Sequence, residues 1–327
     1  MATHNFRRIS RLARLGFAGL MTATVCFSYY FFTQREELYW FYRCIKQATH
    51  ISSCYRGGAF DFTADLFGMR YEGNTGNYLD ERLFYAGAYE KPILFLLRDI
   101  MKLAFNNQGV FMDVGANTGQ HSLFMSRYSK EVHAFEPYEP VLKKFRRMVE
   151  INHIQNTVIH AVGLGESNAK VPFYKPPDKN LGTGSFVEGF KPDNSYLGVL
   201  EIRVGDEVLQ KSGVTSVALV KMDVEGYEKL ALRGLRKTLQ NSRPFVVFEL
   251  TTDPQSPVSI KSKIELFRLF PENYEFLVIE DQRGIITGVY DFASLDDQVR
   301  FDKLEQHDLL AYPVEKKKFL ALRATGQ

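Results

Sequence analysis

The sequence predicts an α/β protein, built on a doubly wound, mostly parallel sheet of seven strands and preceded by one N-terminal membrane-spanning helix. Three observations predict this. Strand-like and helix-like runs alternate from residue 90 to residue 313, which implies right-handed βαβ crossovers. A buried strand runs directly into a glycine-rich turn at 110–119. Near the N-terminus, eighteen successive residues carry no charge.

The chain has 327 residues, with Lys+Arg 41 against Asp+Glu 38, a net charge of +3. Hydrophobic residues make up 45%, enough for one large core and too ordinary for a disordered or polytopic membrane chain. The near-balance of charge, with no basic stripe among aromatics, speaks against nucleic acid as a partner. The 3 cysteines, at 26, 44 and 54, rule out a disulfide framework and a thiolate zinc site.

Residues 1–14 form a basic tail with Arg7, Arg8, Arg11 and Arg14. The run LGFAGLMTATVCFSYYFF at 15–32 follows, and as a helix it spans about 27 Å, close to the hydrocarbon thickness of a bilayer. Tyr29, Tyr30, Tyr39, Trp40 and Tyr42 suit the membrane interface. We read 15–32 as an uncleaved anchor; the alternatives are a cleaved signal peptide and a buried or interfacial helix. Bulky Tyr and Phe stand where a signal peptide needs small residues. A neck fills 33–58, where Cys44 and Cys54 would be able to pair in an oxidising compartment, although two free thiols are expected. Four arginines before the apolar run, against Arg35, Arg43 and Lys46 after it, favour a cytoplasmic N-terminus by one charge. That margin leans to a single-pass, type II arrangement; the alternative is a catalytic domain on the cytosolic side, where soluble cofactors are made.

The globular part is 59–327. Residues 60–89 read as short strands broken by Gly73, Asn74, Thr75 and Gly76. Helical periodicity covers 90–105, 119–128, 138–152, 228–240 and 258–270. Pro271 stops the last of these, which carries Ile260, Ile264 and Phe267. Strands are expected at 110–114, 131–136, 157–163, 217–223, 245–250, 275–280 and 308–313. Gly, Pro, Asn and Lys interrupt the rhythm over 164–203, which we read as a β-rich insertion. Its loop 180–185 would either line an acceptor pocket or be a plain flexible loop.

The turn Asp113-Val114-Gly115-Ala116-Asn117-Thr118-Gly119 is G-x-x-x-G rather than the G-x-G-x-x-G of dinucleotide sites. This disfavours a nicotinamide oxidoreductase and suits a nucleoside without a diphosphate. Gly115 and Gly119 are read as letting the backbone approach the ligand closely. Glu136 follows Gly119 by seventeen residues and ends the second strand, where a carboxylate accepts from both ribose hydroxyls. Asp113 is read as meeting a positive group on the ligand. His121 is read mainly as a polar helix-start residue, with a ligand or proton-relay role as the alternative.

Asp113 to Gly119, with Phe135-Glu136-Pro137, resembles motifs I and II of class I S-adenosylmethionine-dependent methyltransferases. The block Lys221-Met222-Asp223-Val224-Glu225-Gly226-Tyr227-Glu228 is similar to the K-x-D-x-E-G-x-E signature of the FkbM family. Pro244 to Glu249 resembles the following strand of that family. The resemblance implies a Rossmann-like fold, S-adenosylmethionine as cofactor, and O-methylation of a hydroxyl on a sugar, glycan or related metabolite. It implies cofactor binding at Asp113, Gly115, Asn117, Gly119, Glu136 and Pro137. For catalysis the expectation is Asp223 as general base, with Lys221 orienting it or stabilising developing negative charge, and Glu225 beside them. The competing reading of Lys221 and Asp223 is a structural ion pair. No metal is expected, although Glu225, Glu228 and Glu249 have oxygen ligands for a divalent cation. A membrane-tethered binding module with this fold but no turnover is the functional alternative.

Overall fold

A computed structural model describes residues 59–177, 179–282, 285–291 and 299–324. The residues from Thr63 onward form one compact unit. The anchor expected at 15–32, the neck at 33–58 and all three cysteines lie outside the described residues. Among the described residues, no helix is long and apolar enough to cross a membrane.

Strands β1 (Asp61–Leu66) and β2 (Met69–Asn74) form a two-stranded sheet. Next comes helix α1 (Tyr78–Ala86), where the sequence reading expected only strands. Its signals are local. Asn77 Oδ1 accepts from Leu79 N, Asp80 and Glu81 fill the first turn, and Gly87 closes the helix in the left-handed region. Helix α2 (Lys91–Phe105) follows, with Pro92 in its first turn.

The alternating part then runs β3 (Val110–Val114), α3 (Gln120–Ser126), β4 (Glu131–Phe135), α4 (Glu139–Ile151) and β5 (Thr157–His160). Strands β6 (Gly163–Gly165), β7 (Ala169–Lys175) and β8 (Ser195–Val204) form a separate three-stranded sheet over the expected insertion. The strand run expected at 157–163 is thereby divided between two sheets. The chain continues through α5 (Gly205–Lys211), β9 (Leu219–Met222), α6 (Glu228–Gly234), α7 (Arg236–Ser242) and β10 (Phe245–Thr252). It finishes with α8 (Lys263–Leu269), β11 (Tyr274–Gln282), β12 (Ile285–Asp291), β13 (Glu305–Pro313) and α9 (Lys317–Ala324).

The main sheet has the order β12-β11-β13-β10-β9-β3-β4-β5. Strands β10, β9, β3, β4 and β5 are parallel, while β13 enters antiparallel between β10 and β11. Seven of the strands are those the sequence marked out. The eighth, β12, extends the sheet as the hairpin partner of β11. Two helix expectations also change. The run 228–240 is two short helices, and α8 starts only at its Ser262 cap. Ile260 therefore precedes the helix and is buried, while Ile264 and Phe267 point outward around buried Leu266.

The core follows from the pattern. All four residues of β9 are buried, as a strand covered on both faces must be. Helix α4 buries Val141, Leu142, Phe145 and Met148 on one stripe. At about 1.5–3 kcal/mol per buried side chain, this contributes far more than helix propensity does over thirteen residues.

Gly119 serves that packing. Its φ is +86°, and a Cβ there would lie 2.1 Å from the Phe145 ring. Gly119→Ala combines overpacking with a left-handed non-glycine residue, a loss of about 2–5 kcal/mol. Urea unfolding checks this, and a variant as stable as the parent would contradict it.

Candidate active site

The parallel strands β3, β4 and β9 end side by side, and their carboxyl ends surround one cavity. Its empty volume is about 1210 Å³ including the open mouth, the size class of small-molecule sites. An open α/β sheet binds ligands at this edge.

The first wall is the turn after β3. The N–H groups of Gly115 and Ala116 both donate to the Phe135 carbonyl, at 2.9 and 3.0 Å. Asn117 sits in the left-handed region at φ +51°, and its Oδ1 accepts from Thr118 N at 2.8 Å. Gly115 is also required by its protein neighbour: a Cβ would stand 1.7 Å from the Asp223 carbonyl oxygen. The two glycines of the turn thus admit neighbouring protein, Asp223 in one case and Phe145 in the other. Gly115, Asn117, Glu136 and Pro137 line the cavity; Gly119 and Asp113 do not.

Asp113 is wholly buried. Its Oδ2 accepts from Ser122 Oγ at 2.6 Å, and the residue pairs in register with Lys221 on β9. Burial raises its pKa, while Lys221 and the Ser122 hydroxyl act in the other direction. It is a buried neighbour of Lys221 and stands behind the cavity lining.

Glu136 closes the second wall. Its Oε2 accepts from Asn117 N at 2.9 Å and its Oε1 from Tyr138 N at 2.8 Å. The carboxylate thereby fixes the β3 turn while keeping lone pairs on the cavity side. Burial pushes its pKa up to about 7.

The third wall is the tip of β9. Lys221 is buried, and its Nζ lies 3.1 Å from Asp223 Oδ2. Burial works against the ammonium, but Asp223, Glu90 and Asp113 outweigh it and hold Lys221 charged above the ordinary lysine range. Glu225 occupies the left-handed region at φ +52°, its Oε2 is buried without a hydrogen-bond partner, and burial followed by Asp223 pushes its pKa to about 8. Glu228 has a scaffold role, since its Oε1 accepts from Val224 N and Gly226 N at 3.2 and 3.1 Å. Glu249 lies outside the cavity lining and takes a hydrogen bond from Gln306 Nε2 at 2.8 Å. Among the described residues, no group of three His, Cys, Asp or Glu side chains is arranged to hold a metal ion.

Two further walls complete the cavity. Phe173 and Phe186 of the insertion join Tyr138, before α4, and Tyr227, before α6, in an aromatic series with ring centroids 5.2–5.5 Å apart. The insertion's loop at 180–184 lines the cavity, so that of the two roles left open for it the lining one is seen. The segment before β3 adds Tyr71, Tyr78, Tyr89 and Glu90. Glu90 has φ +46°, and its Oε2 lies 3.5 Å from His121 Nε2. Burial pushes Glu90 up to about 8 and holds His121 well below its ordinary value. The sequence signal for Glu90 was only its place before Lys91-Pro92, which marks a helix start and nothing chemical.

The raised carboxylates have a consequence for stability. Glu136 and Glu228 titrate near 7, and Glu90 and Glu225 near 8, against about 4.5 in the unfolded chain. Above 4.5 the folded protein keeps protons that the unfolded chain has released, so stability falls as pH rises. The depressed histidines His121, His133 and His160 act oppositely, but only below about 6.5. Between pH 6.5 and 8.5 the carboxylates act alone, and the melting temperature is expected to fall. A flat or rising melting temperature across that window would contradict these protonation states.

The description "Methyltransferase FkbM domain" matches residues 113–284, just over half of the chain. The chain belongs to the FkbM family of S-adenosylmethionine-dependent methyltransferases. Hexuronic acid methyltransferase AglP of Haloferax volcanii is 30% identical over 178 residues, covering 52% of this chain and 69% of that protein. Methyltransferase 1 of Beauveria bassiana is 25% identical over 179 residues, 49% of this chain and 72% of that protein. The crystal structure of Methyltransferase FkbM from Methylobacillus flagellatus aligns at a TM-score of 0.39 with 17% identity over 65% of this chain. The aligned part spans about half, 48%, of that solved chain.

Proposed function

We propose that the chain is a membrane-anchored O-methyltransferase that moves a methyl group from S-adenosylmethionine to a hydroxyl of a sugar, glycan or related small metabolite. What carries this reading is the meeting, in one cavity, of the Gly115–Asn117 turn, Glu136 and the Lys221–Asp223 pair. The donor set fits the cofactor. A carboxylate at the end of β4 is placed for ribose hydroxyls, apolar Phe135 and Pro137 flank it, and the cavity's acidic balance favours a cation. Gly115, Asn117, Glu136 and Pro137 would hold the cofactor, and Asp113 acts from behind through Lys221. When bound, the cofactor supplies an electrophilic methyl group on a positively charged sulfur.

The residues of the chain do the rest. Asp223 accepts the proton of the acceptor hydroxyl as the oxygen–carbon bond forms and the sulfur–carbon bond breaks. Lys221 keeps the Asp223 carboxylate oriented through their 3.1 Å contact. Most of the rate comes from holding the acceptor oxygen in line. Glu225 shapes the acceptor side, and no step requires a metal.

Calorimetry on the full chain in detergent tests the cofactor: S-adenosylmethionine and its demethylated product should bind, and NAD should not. The anchor at 15–32 and the exported, type II placement rest on the apolar run and a one-charge margin. Protease added to sealed right-side-out vesicles tests them. A catalytic domain that stays protected until detergent is added would overturn the exported placement.

A further inference from the structure

Beyond the β3 turn and Glu136, the cavity is walled by Tyr89, Glu90, His121, Lys221, Asp223 and Glu225. Three carboxylates therefore face one ammonium, and that ammonium is already bound to Asp223. His121 adds no charge, because burial and Lys221 hold it neutral. Outside this wall, Glu249 and Asp308 stand directly opposite each other on β10 and β13. The elevated values of Glu90 and Glu225, and of Glu249 at about 10, are symptoms of burial within this cluster.

Within this wall, one pair is built for a ligand. His121 is only 7% exposed, lines the cavity, and its Nε2 has no hydrogen-bond partner. A buried polar atom without a partner calls for a physical reason. Glu90 faces it, held in the left-handed region that residues other than Gly, Asn, Asp and His seldom adopt. The segment is fixed there by a reciprocal pair: Tyr89 N donates to Gln120 Oε1 at 2.7 Å, and Gln120 Nε2 donates to Tyr89 O at 2.8 Å. A hydroxyl has one donor and two acceptor positions, so hydroxyl groups on a ligand would satisfy both the carboxyl group and the imidazole.

We propose that Glu90 and His121 are acceptor-binding residues, and that the acceptor they select is an uncharged polyol ring rather than one bearing a carboxylate. This rests on the donor site proposed above. Above pH 8, where Glu90 and Glu225 ionise, a carboxylate on the ring would enter a wall with three like charges whose one ammonium is already paired with Asp223, and like-charge juxtaposition across an interface is strongly unfavourable. The name of the relative from Haloferax volcanii specifies a hexuronic acid, which carries such a group; this chain would differ from it. Glu90 lies before residue 113, where the family match begins, so the discrimination comes from a segment outside that match.

The test uses the full chain saturated with S-adenosylhomocysteine at pH 9, where Glu90 and Glu225, both raised to about 8, are ionised. Methyl β-glucopyranoside and methyl β-glucuronopyranoside, the same ring without and with a carboxylate, are the probes, followed by ligand-observed NMR titration. We expect the glucoside to bind about tenfold or more tightly than the glucuronoside. Glu90→Gln should narrow that gap at least about threefold while leaving S-adenosylhomocysteine affinity unchanged. His121→Phe should weaken the glucoside by about threefold to tenfold, again with the nucleoside retained as the folding control. A glucuronoside that binds as well as the glucoside overturns the proposal. So do a gap that Glu90→Gln leaves intact, a glucoside affinity that His121→Phe leaves intact, and binding of neither sugar to a chain that holds S-adenosylhomocysteine. If S-adenosylhomocysteine itself does not bind, the donor site fails first and this proposal falls with it.

Discussion

Asp223→Asn should leave S-adenosylmethionine affinity within a few-fold and lower turnover by roughly 10²–10⁴, the usual cost of losing a general base. The substitution keeps the shape of the side chain and leaves a carbonyl oxygen for Lys221. It removes the carboxylate that takes the hydroxyl proton. The backbone is unaffected, because the Asp223 N–H still donates to Val114 O at 2.9 Å. Measuring methyl transfer and calorimetric affinity together separates three outcomes. Loss of turnover alone supports the base. Equal loss of both makes Asp223 a cofactor residue. Unchanged turnover returns the Lys221–Asp223 pair to a structural ion pair.

Glu136→Ala should reduce cofactor affinity by about ten- to a hundredfold, since hydrogen bonds to charged groups contribute about 1.5–3 kcal/mol. The structure adds an indirect part. Glu136 also receives Asn117 N and Tyr138 N, so its removal loosens the turn that lines the cavity. Glu136→Gln retains one carbonyl acceptor and should fall between the two. Affinity unchanged in Glu136→Ala would mean that the ribose does not sit at the end of β4.

Much of this site is legible in the linear sequence because it hangs from strand ends. An apolar run that stops at Asp113, Glu136 or Asp223 announces both a buried strand and a polar residue at its carboxyl tip. Seven strands of the main sheet were readable on that basis. β12 was not read, although its sequence Ile285-Ile286-Thr287-Gly288-Val289-Tyr290 is rich in the β-branched and aromatic residues that favour strands. Helix α1 was missed because Gly73, Asn74 and Gly76 drew attention from the Asn77 cap one residue further on. The glycines of the turn were readable as necessary, but the reason was not. Whether Gly115 admits a ligand or the Asp223 carbonyl depends on β9, about a hundred residues away in sequence. Glu90, Tyr89 and the His121 imidazole were unreadable as a site for the same reason, since only tertiary packing brings α2, α3 and β9 to one wall.

The most direct test of the central claim is a crystal structure of the chain with S-adenosylhomocysteine. The account predicts the ribose hydroxyls on the Glu136 carboxylate and the sulfur facing the Lys221–Asp223 pair across the cavity. A nucleoside bound elsewhere, or with its sulfur turned away from Asp223, would contradict it.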